Sequence, residues 1–210
     1  MDKERFFVFY SFFIFGVFLL ENLSAGQGLS RLLEGNARYV QDRLAHPNRT
    51  SERREAVVCK QSPFAIIIGC SDSRVAPEIL FDQGVGDLFV VRVAGNVVGP
   101  LELDSIDYSA LYLHSSVILV MGHENCGAVE AVVQGKTKDI KAVAALIDPV
   151  VQEVKKDKSK DFLSTCIKKN ALHVRDFLIK SPIIQELIKA DKIEVHAAYY
   201  NLQTGAVEIL

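Results

Sequence analysis

Ala65-Ile66-Ile67-Ile68-Gly69-Cys70-Ser71-Asp72-Ser73-Arg74 and Val117-Ile118-Leu119-Val120-Met121-Gly122-His123-Glu124-Asn125-Cys126 share one design, an apolar run followed by ligating and charged side chains. Continuous β-branched runs read as strands buried on both faces, as in a parallel sheet covered by helices. In open α/β sheets, sites form outside the carboxyl ends of the strands. Two thiols and an imidazole at two such ends would converge. Cys70, His123 and Cys126 would give one zinc ion three ligands and leave a fourth position free, the ligand count of a catalytic zinc.

Outward from these runs, strand and helix alternate. Apolar spacing predicts a helix over 29–44, closed by His46-Pro47-Asn48, and a polar helix over 51–58 entered through Thr50. Strands are expected over 65–69, 88–93, 117–121 and 193–200. A turn at Leu202-Gln203-Thr204-Gly205 should then lead into a last hairpin strand over 206–210. Helices are expected over 77–82, 101–114, 127–133, 139–155, 162–180 and 182–190. The pattern gives one α/β domain with a mainly parallel central sheet flanked by helices, ending in an antiparallel edge hairpin.

The first 25 residues stand apart from that domain, which covers 26–210. Residues 6–20 are almost wholly apolar, preceded by Lys3 and Arg5. The run is short for a spanning helix, which needs about 20 apolar residues. It reads as a secretory signal with Ala25 at a cleavage point, and hence as an exported, periplasmic protein. An uncleaved membrane anchor through 6–20 and an ordinary buried helix are the alternatives.

The chain's 210 residues are 49% hydrophobic, enough for a sizeable core, and its formal net charge is −2. With no basic block, nucleic acid is not an expected partner. The mixed-sign run over 155–161 reads as a solvated loop or helix end. Four cysteines are present. Assigning two to zinc leaves Cys59 and Cys166, either paired as a disulfide or reduced.

Gln61-Ser62-Pro63 through Cys70-Ser71-Asp72-Ser73-Arg74, then Gly84 to Asn96, then Gly122-His123-Glu124-Asn125-Cys126-Gly127 closely resemble the β-class carbonic anhydrases. The likeness spans roughly residues 29–210. A lone HxxC is weak, but CxDxR after a buried strand with GHxxCG some fifty residues later is specific. The resemblance implies reversible hydration of CO2 to bicarbonate and a proton, by zinc-bound hydroxide, with Cys70, His123 and Cys126 as the zinc ligands. It implies that Asp72 accepts a hydrogen bond from the zinc-bound oxygen while Arg74 restrains Asp72, which in some members swings onto the metal. Gln61 is then the glutamine that meets bicarbonate from the partner subunit. Phe89 and Tyr108 would line a small apolar cavity, and the Gly127 backbone would lie beside the ligand cysteine. A homodimer or a dimer of dimers, with an N-terminal helical arm embracing the partner, follows from Gln61's role.

One departure carries a prediction. Members inhibited by bicarbonate have Trp three residues before the first ligand; here that residue is Ile67, and the chain has no Trp. The arginine of that inhibitory site has a counterpart in Arg92, which a structural role explains as well. An open site is therefore expected near pH 7.5, with water rather than Asp72 on the metal. A related hydrolase of CS2 or COS would share every ligand. A structural zinc or thiol protein would need neither Asp72, Arg74 nor Gln61, and no CxxC pair is present.

Overall fold

The computed structural model describes residues 25–156 and 160–210. The apolar segment over 6–20, with its signal or anchor reading, lies outside the described residues. In chain order the elements are α1 (Ala25–Val40), α2 (Ser51–Ala56), β1 (Ala65–Gly69), α3 (Pro77–Leu80), β2 (Leu88–Arg92), α4 (Pro100–Tyr112) and β3 (Val117–His123). There follow α5 (Gly127–Val133), α6 (Lys141–Val154), α7 (Phe162–Ile179), α8 (Pro182–Lys189), β4 (Glu194–Tyr200) and β5 (Val207–Ile209). Among the described residues no helix is long and apolar enough to cross a membrane.

The sheet order is β2-β1-β3-β4-β5, parallel except for β5. Every residue of β1 and β3 is buried, as their continuous apolar runs require. Alternate side chains serve opposite faces. Ile66, Ile68, Ile118 and Val120 pack with Ile106 of α4, Ala171 and Leu178 of α7 and Ile184 of α8. Ala65, Ile67, Val117, Leu119 and Met121 pack on the other face with Leu32 of α1 and with Leu80 and Phe81. A third apolar cluster, built largely from α5, α6 and α7, includes Cys70 and Cys126, so both thiols are buried within it.

Helix α1 runs four residues earlier than the 29–44 expected from apolar spacing. Asp42 takes φ 54 and Arg43 N donates to Arg38 O at 2.9 Å, which closes the helix and leaves Leu44 outside it. Gly35 lets α1 meet the Phe81 carbonyl at a distance no Cβ would allow. Two buried carboxylates on the segment before β2 hold this end of the chain. Asp82 accepts from Arg38 Nε at 2.7 Å and from the Ala45 and His46 amides at 2.8 and 3.0 Å. Asp87 accepts from Asn48 Nδ2 at 2.8 Å and pairs with Arg31 and Arg53. Buried Asn36 donates to Leu80 O and Gly205 O and accepts from Val207 N, tying α1 to the last hairpin.

The register places the site. Gly69 of β1 lies level with Arg92 of β2 and Met121 of β3. Cys70, Val93 and Gly122 follow at one height, at the carboxyl ends of the strands. β3 continues two residues beyond the expected 117–121 because Gly122 and His123 pair with Tyr199 and Tyr200. His123 is therefore held in the sheet rather than on a loop.

Candidate metal centre

Cys70 leaves β1, His123 ends β3, and Cys126 caps the start of α5. Their exposures are 5%, 0% and 0%, and one ligand atom from each lies within 4.8 Å of the others. The backbone fixes the imidazole. His123 Nδ1 stands 2.9 Å from Glu124 O, and only a protonated Nδ1 can donate to a carbonyl. Nε2 is then an acceptor, buried and without a hydrogen-bond partner among the described residues. A buried lone pair with no donor is costly in a packed interior, and a cation satisfies it.

The sulfurs make the same demand. Cys70 is lowered to about 4 because the Cys126 thiol hydrogen-bonds to it, against the opposing effect of burial. The Gly95 N–H, 3.3 Å from Cys70 Sγ, adds to that stabilisation. Cys126 is pushed far upward by its bond to the Cys70 thiolate and by burial. Only one of two adjacent buried thiols ionises alone; a divalent cation between them stabilises both thiolates. Two sulfurs and one imidazole fit zinc, with one coordination position open.

Asp72 and Arg74 lie beside this Cys70–His123–Cys126 group. Arg74 Nε donates to Asp72 Oδ1 at 3.0 Å and Nη2 to Oδ2 at 2.7 Å, with the Arg74 amide on Oδ1 at 2.9 Å. These Arg74 bonds, the side-chain ones first, hold the Asp72 carboxyl well below the usual carboxylate range. Arg74 also reaches Asn125 O at 3.3 Å, across to the segment carrying the other two ligands. Arg92 donates to Cys70 O at 3.0 Å and to Asp72 O at 2.6 Å. Its partners are carbonyls rather than a carboxylate, and it braces the turn that presents Cys70 and Asp72.

Gly127, the first residue of α5, is exposed next to Cys126, with open space around its Cα. The other three predicted substrate residues are not beside these ligands within one chain. Gln61 precedes β1, and the strand's five residues, about 13 Å long, separate it from Cys70. Gln61 and Tyr108 line a groove of about 710 Å³ with Val58, Cys59, Tyr112 and His114. Phe89 stacks on Tyr108 with centroids 6.5 Å apart, and Tyr108 on Tyr112 at 5.6 Å.

All four cysteines are free, so Cys59 and Cys166 form no disulfide. Cys166 is sealed in the α6–α7 core, whereas Cys59 is exposed before β1. Three contributors had gone unassigned. Gly95 donates to the Cys70 sulfur. Glu124 holds the His123 ring through its carbonyl, and its Oε2 accepts from Leu202 N at 3.0 Å. Asn170 of α7 donates to Gly95 O at 2.8 Å. Its one sequence signal is an amide on the apolar face shared by Cys166, Ile167, Ala171 and Val174.

A protein-family model described as carbonic anhydrase matches residues 65–207. Carbonic anhydrase 2 of Mycobacterium tuberculosis is 36% identical over 181 residues, covering 83% of this chain and 87% of its own length. The carbonic anhydrase of Pseudomonas aeruginosa is 30% identical over 193 residues, covering 85% and 86%. Among solved structures, the β-carbonic anhydrase of Coccomyxa in complex with acetazolamide matches with a TM-score of 0.66 at 31% identity, over 87% of this chain and 86% of that one.

Proposed function

Because the chain belongs to the β-class carbonic anhydrases, we infer that it catalyses the reversible hydration of CO2 to bicarbonate and a proton, with zinc held by Cys70, His123 and Cys126. The observation that carries this reading is the buried His123 Nε2, without a hydrogen-bond partner among the described residues and converging with two sulfurs within 4.8 Å. When bound, zinc lowers the pKa of a water to about 7 and makes hydroxide available at neutral pH.

This chain's residues supply the rest. Asp72 is an acceptor-only carboxylate beside the metal position, its Oδ2 3.9 Å from His123 Nε2. Asp72 would accept the O–H of the attacking oxygen and so orient it toward the carbon of CO2. By holding both carboxylate oxygens, Arg74 would keep Asp72 in that orientation and away from the metal, as the open-site reading requires. Arg92 fixes the turn that carries both Cys70 and Asp72.

A second copy of the chain completes the substrate pocket in this proposal. Gln61, Phe89 and Tyr108 lie together at the strand end remote from their own Cys70, so they serve the ligands of a partner. Leu101, Tyr108 and Tyr112 of α4 are 78%, 46% and 70% exposed, an apolar surface suited to a homodimer, or to a dimer of dimers. The apolar run over 6–20 supports export to the periplasm, with membrane anchoring through the same run as the alternative.

Stopped-flow CO2 hydration with zinc content measured on the same sample tests the function. Rapid hydration at one zinc per chain, lost in Cys126→Ser, is the expected result. A wild-type protein loaded with zinc but unable to hydrate CO2 would overturn it.

A further inference from the structure

We propose that Asn170 is a positioning residue for the metal-binding sulfur of Cys70, acting through Gly95. The inference rests on the metal centre proposed above and assigns a role to a residue more than forty positions from any ligand in the sequence. Asn170 lies mid-helix in α7 and is fully buried. Its neighbours on that face are Cys166, Ile167, Ala171 and Val174, so packing alone would favour an aliphatic side chain. What the amide adds is one donor. Nδ2 bonds to Gly95 O at 2.8 Å, while Oδ1 has no hydrogen-bond partner among the described residues. A carbonyl accepts only from the NH2 end, so this contact fixes how the amide is turned.

Gly95 converts that bond into geometry. It adopts φ 72 and ψ 18, and a Cβ there would stand 2.7 Å from Ile147 Cδ1. The next residue, Asn96, is also left-handed at φ 47 and bonds back to Val93 O at 2.9 Å. With its carbonyl held by Asn170, the loop aims the Gly95 N–H at Cys70 Sγ, 3.3 Å away. An N–H donated to a thiolate draws electron density from the sulfur and tunes what it gives to a metal.

Cobalt substitution of the full chain reads this directly, because the sulfur-to-cobalt charge-transfer band reports electron density on the thiolates. The variants are Asn170→Leu and the shape-preserving Asn170→Asp, with Val174→Ala one turn along α7 as a packing control. Both Asn170 variants should bind cobalt about 10- to 100-fold more weakly, the usual effect of losing an outer partner. Their band should move to longer wavelength, while Val174→Ala leaves affinity and band at wild-type values. Folded Asn170 variants with wild-type affinity and band would overturn the proposal. Should neither variant fold, the wild type loaded with cadmium-113 decides. Scalar coupling from the metal to the Gly95 amide proton, together with through-hydrogen-bond coupling between Asn170 Nδ2 and the Gly95 carbonyl carbon, supports the relay, and the absence of either overturns it. A wild-type protein without any thiolate band would instead defeat the metal assignment itself.

Discussion

Arg74 grips Asp72 at both carboxylate oxygens, at 3.0 and 2.7 Å, while Asp72 Oδ2 stops 3.9 Å from the metal-facing nitrogen of His123. The paired bonds set the plane of the carboxylate as well as its charge. Arg74 is half exposed, so the grip is strong in geometry and modest in energy. Arg74→Ala should leave zinc content unchanged and slow CO2 hydration about 10- to 100-fold, as Asp72 turns to the open metal position. Stopped-flow rates paired with metal analysis check this; undiminished hydration in a zinc-loaded variant contradicts it.

The cysteines should report the metal in graded fashion. Cys59, on the surface, should alkylate in the native protein. Cys70 and Cys126 should react only once a chelator has taken the zinc. Burial raises the Cys166 thiol and seals it at 0% exposure, so it should wait for unfolding. Chelation should also cost about 4 kcal/mol of stability where free zinc had stood a thousandfold above its dissociation constant. Mass spectrometry of timed alkylation and a denaturant titration measure both effects.

Acid should weaken the hold on the N-terminal helices through Asp82. Burial pushes its carboxyl up, but bonds from Arg38 and from the Ala45 and His46 amides outweigh that and leave it lowered. A lowered folded pKa contributes stability above the unfolded value, about 3.9, and loses it as pH falls through the folded value. Asp82→Asn should therefore destabilise the protein by about 1–3 kcal/mol at pH 7. The gap to the wild type should shrink below about pH 4 and close once wild-type Asp82 is itself protonated. A gap independent of pH in urea titrations would refute this.

Mixing two dead variants should restore activity if the substrate pocket is shared between subunits. Cys126→Ser removes a metal ligand and Gln61→Ala removes the polar group offered to the partner. A mixed dimer of the two has one site with an intact metal centre facing an intact Gln61. Unfolding and refolding an equimolar mixture should recover activity that neither variant shows alone. No recovery, with mixed dimers demonstrated by native mass spectrometry, would place Gln61 outside the partner's site.

The features legible in the sequence were those fixed by local chemistry. β1 occupies the expected 65–69 because an all-aliphatic run admits one reading. α5 ends where Gly135, at φ 71, permits a left-handed stop. The convergence of Cys70, His123 and Cys126 and the Asp72–Arg74 pair were legible because these residues sit within a few positions of those strand ends. Non-local effects hid the rest. Leu44 fitted the helical spacing but follows a turn made by Asp42. β3 gained its last residues from β4, 77 positions on. The part Gly95 plays was hidden, since its two partners, Cys70 and Asn170, come from distant parts of the chain.

The Asn36 bonds to Gly205 and Val207 span almost the whole described chain. A nascent polypeptide offers α1 early and the hairpin that latches it last. Until release, the first helix has no carbonyl at 205 to receive its buried amide and no amide at 207 to satisfy its oxygen. Products cut short before residue 205 keep Cys70, His123 and Cys126 but leave the Asn36 amide with Leu80 O alone and its oxygen unbonded, so α1 is held less firmly. Sealing the first helix is thus the work of the last hairpin, and a change there is felt at the opposite end of the described chain.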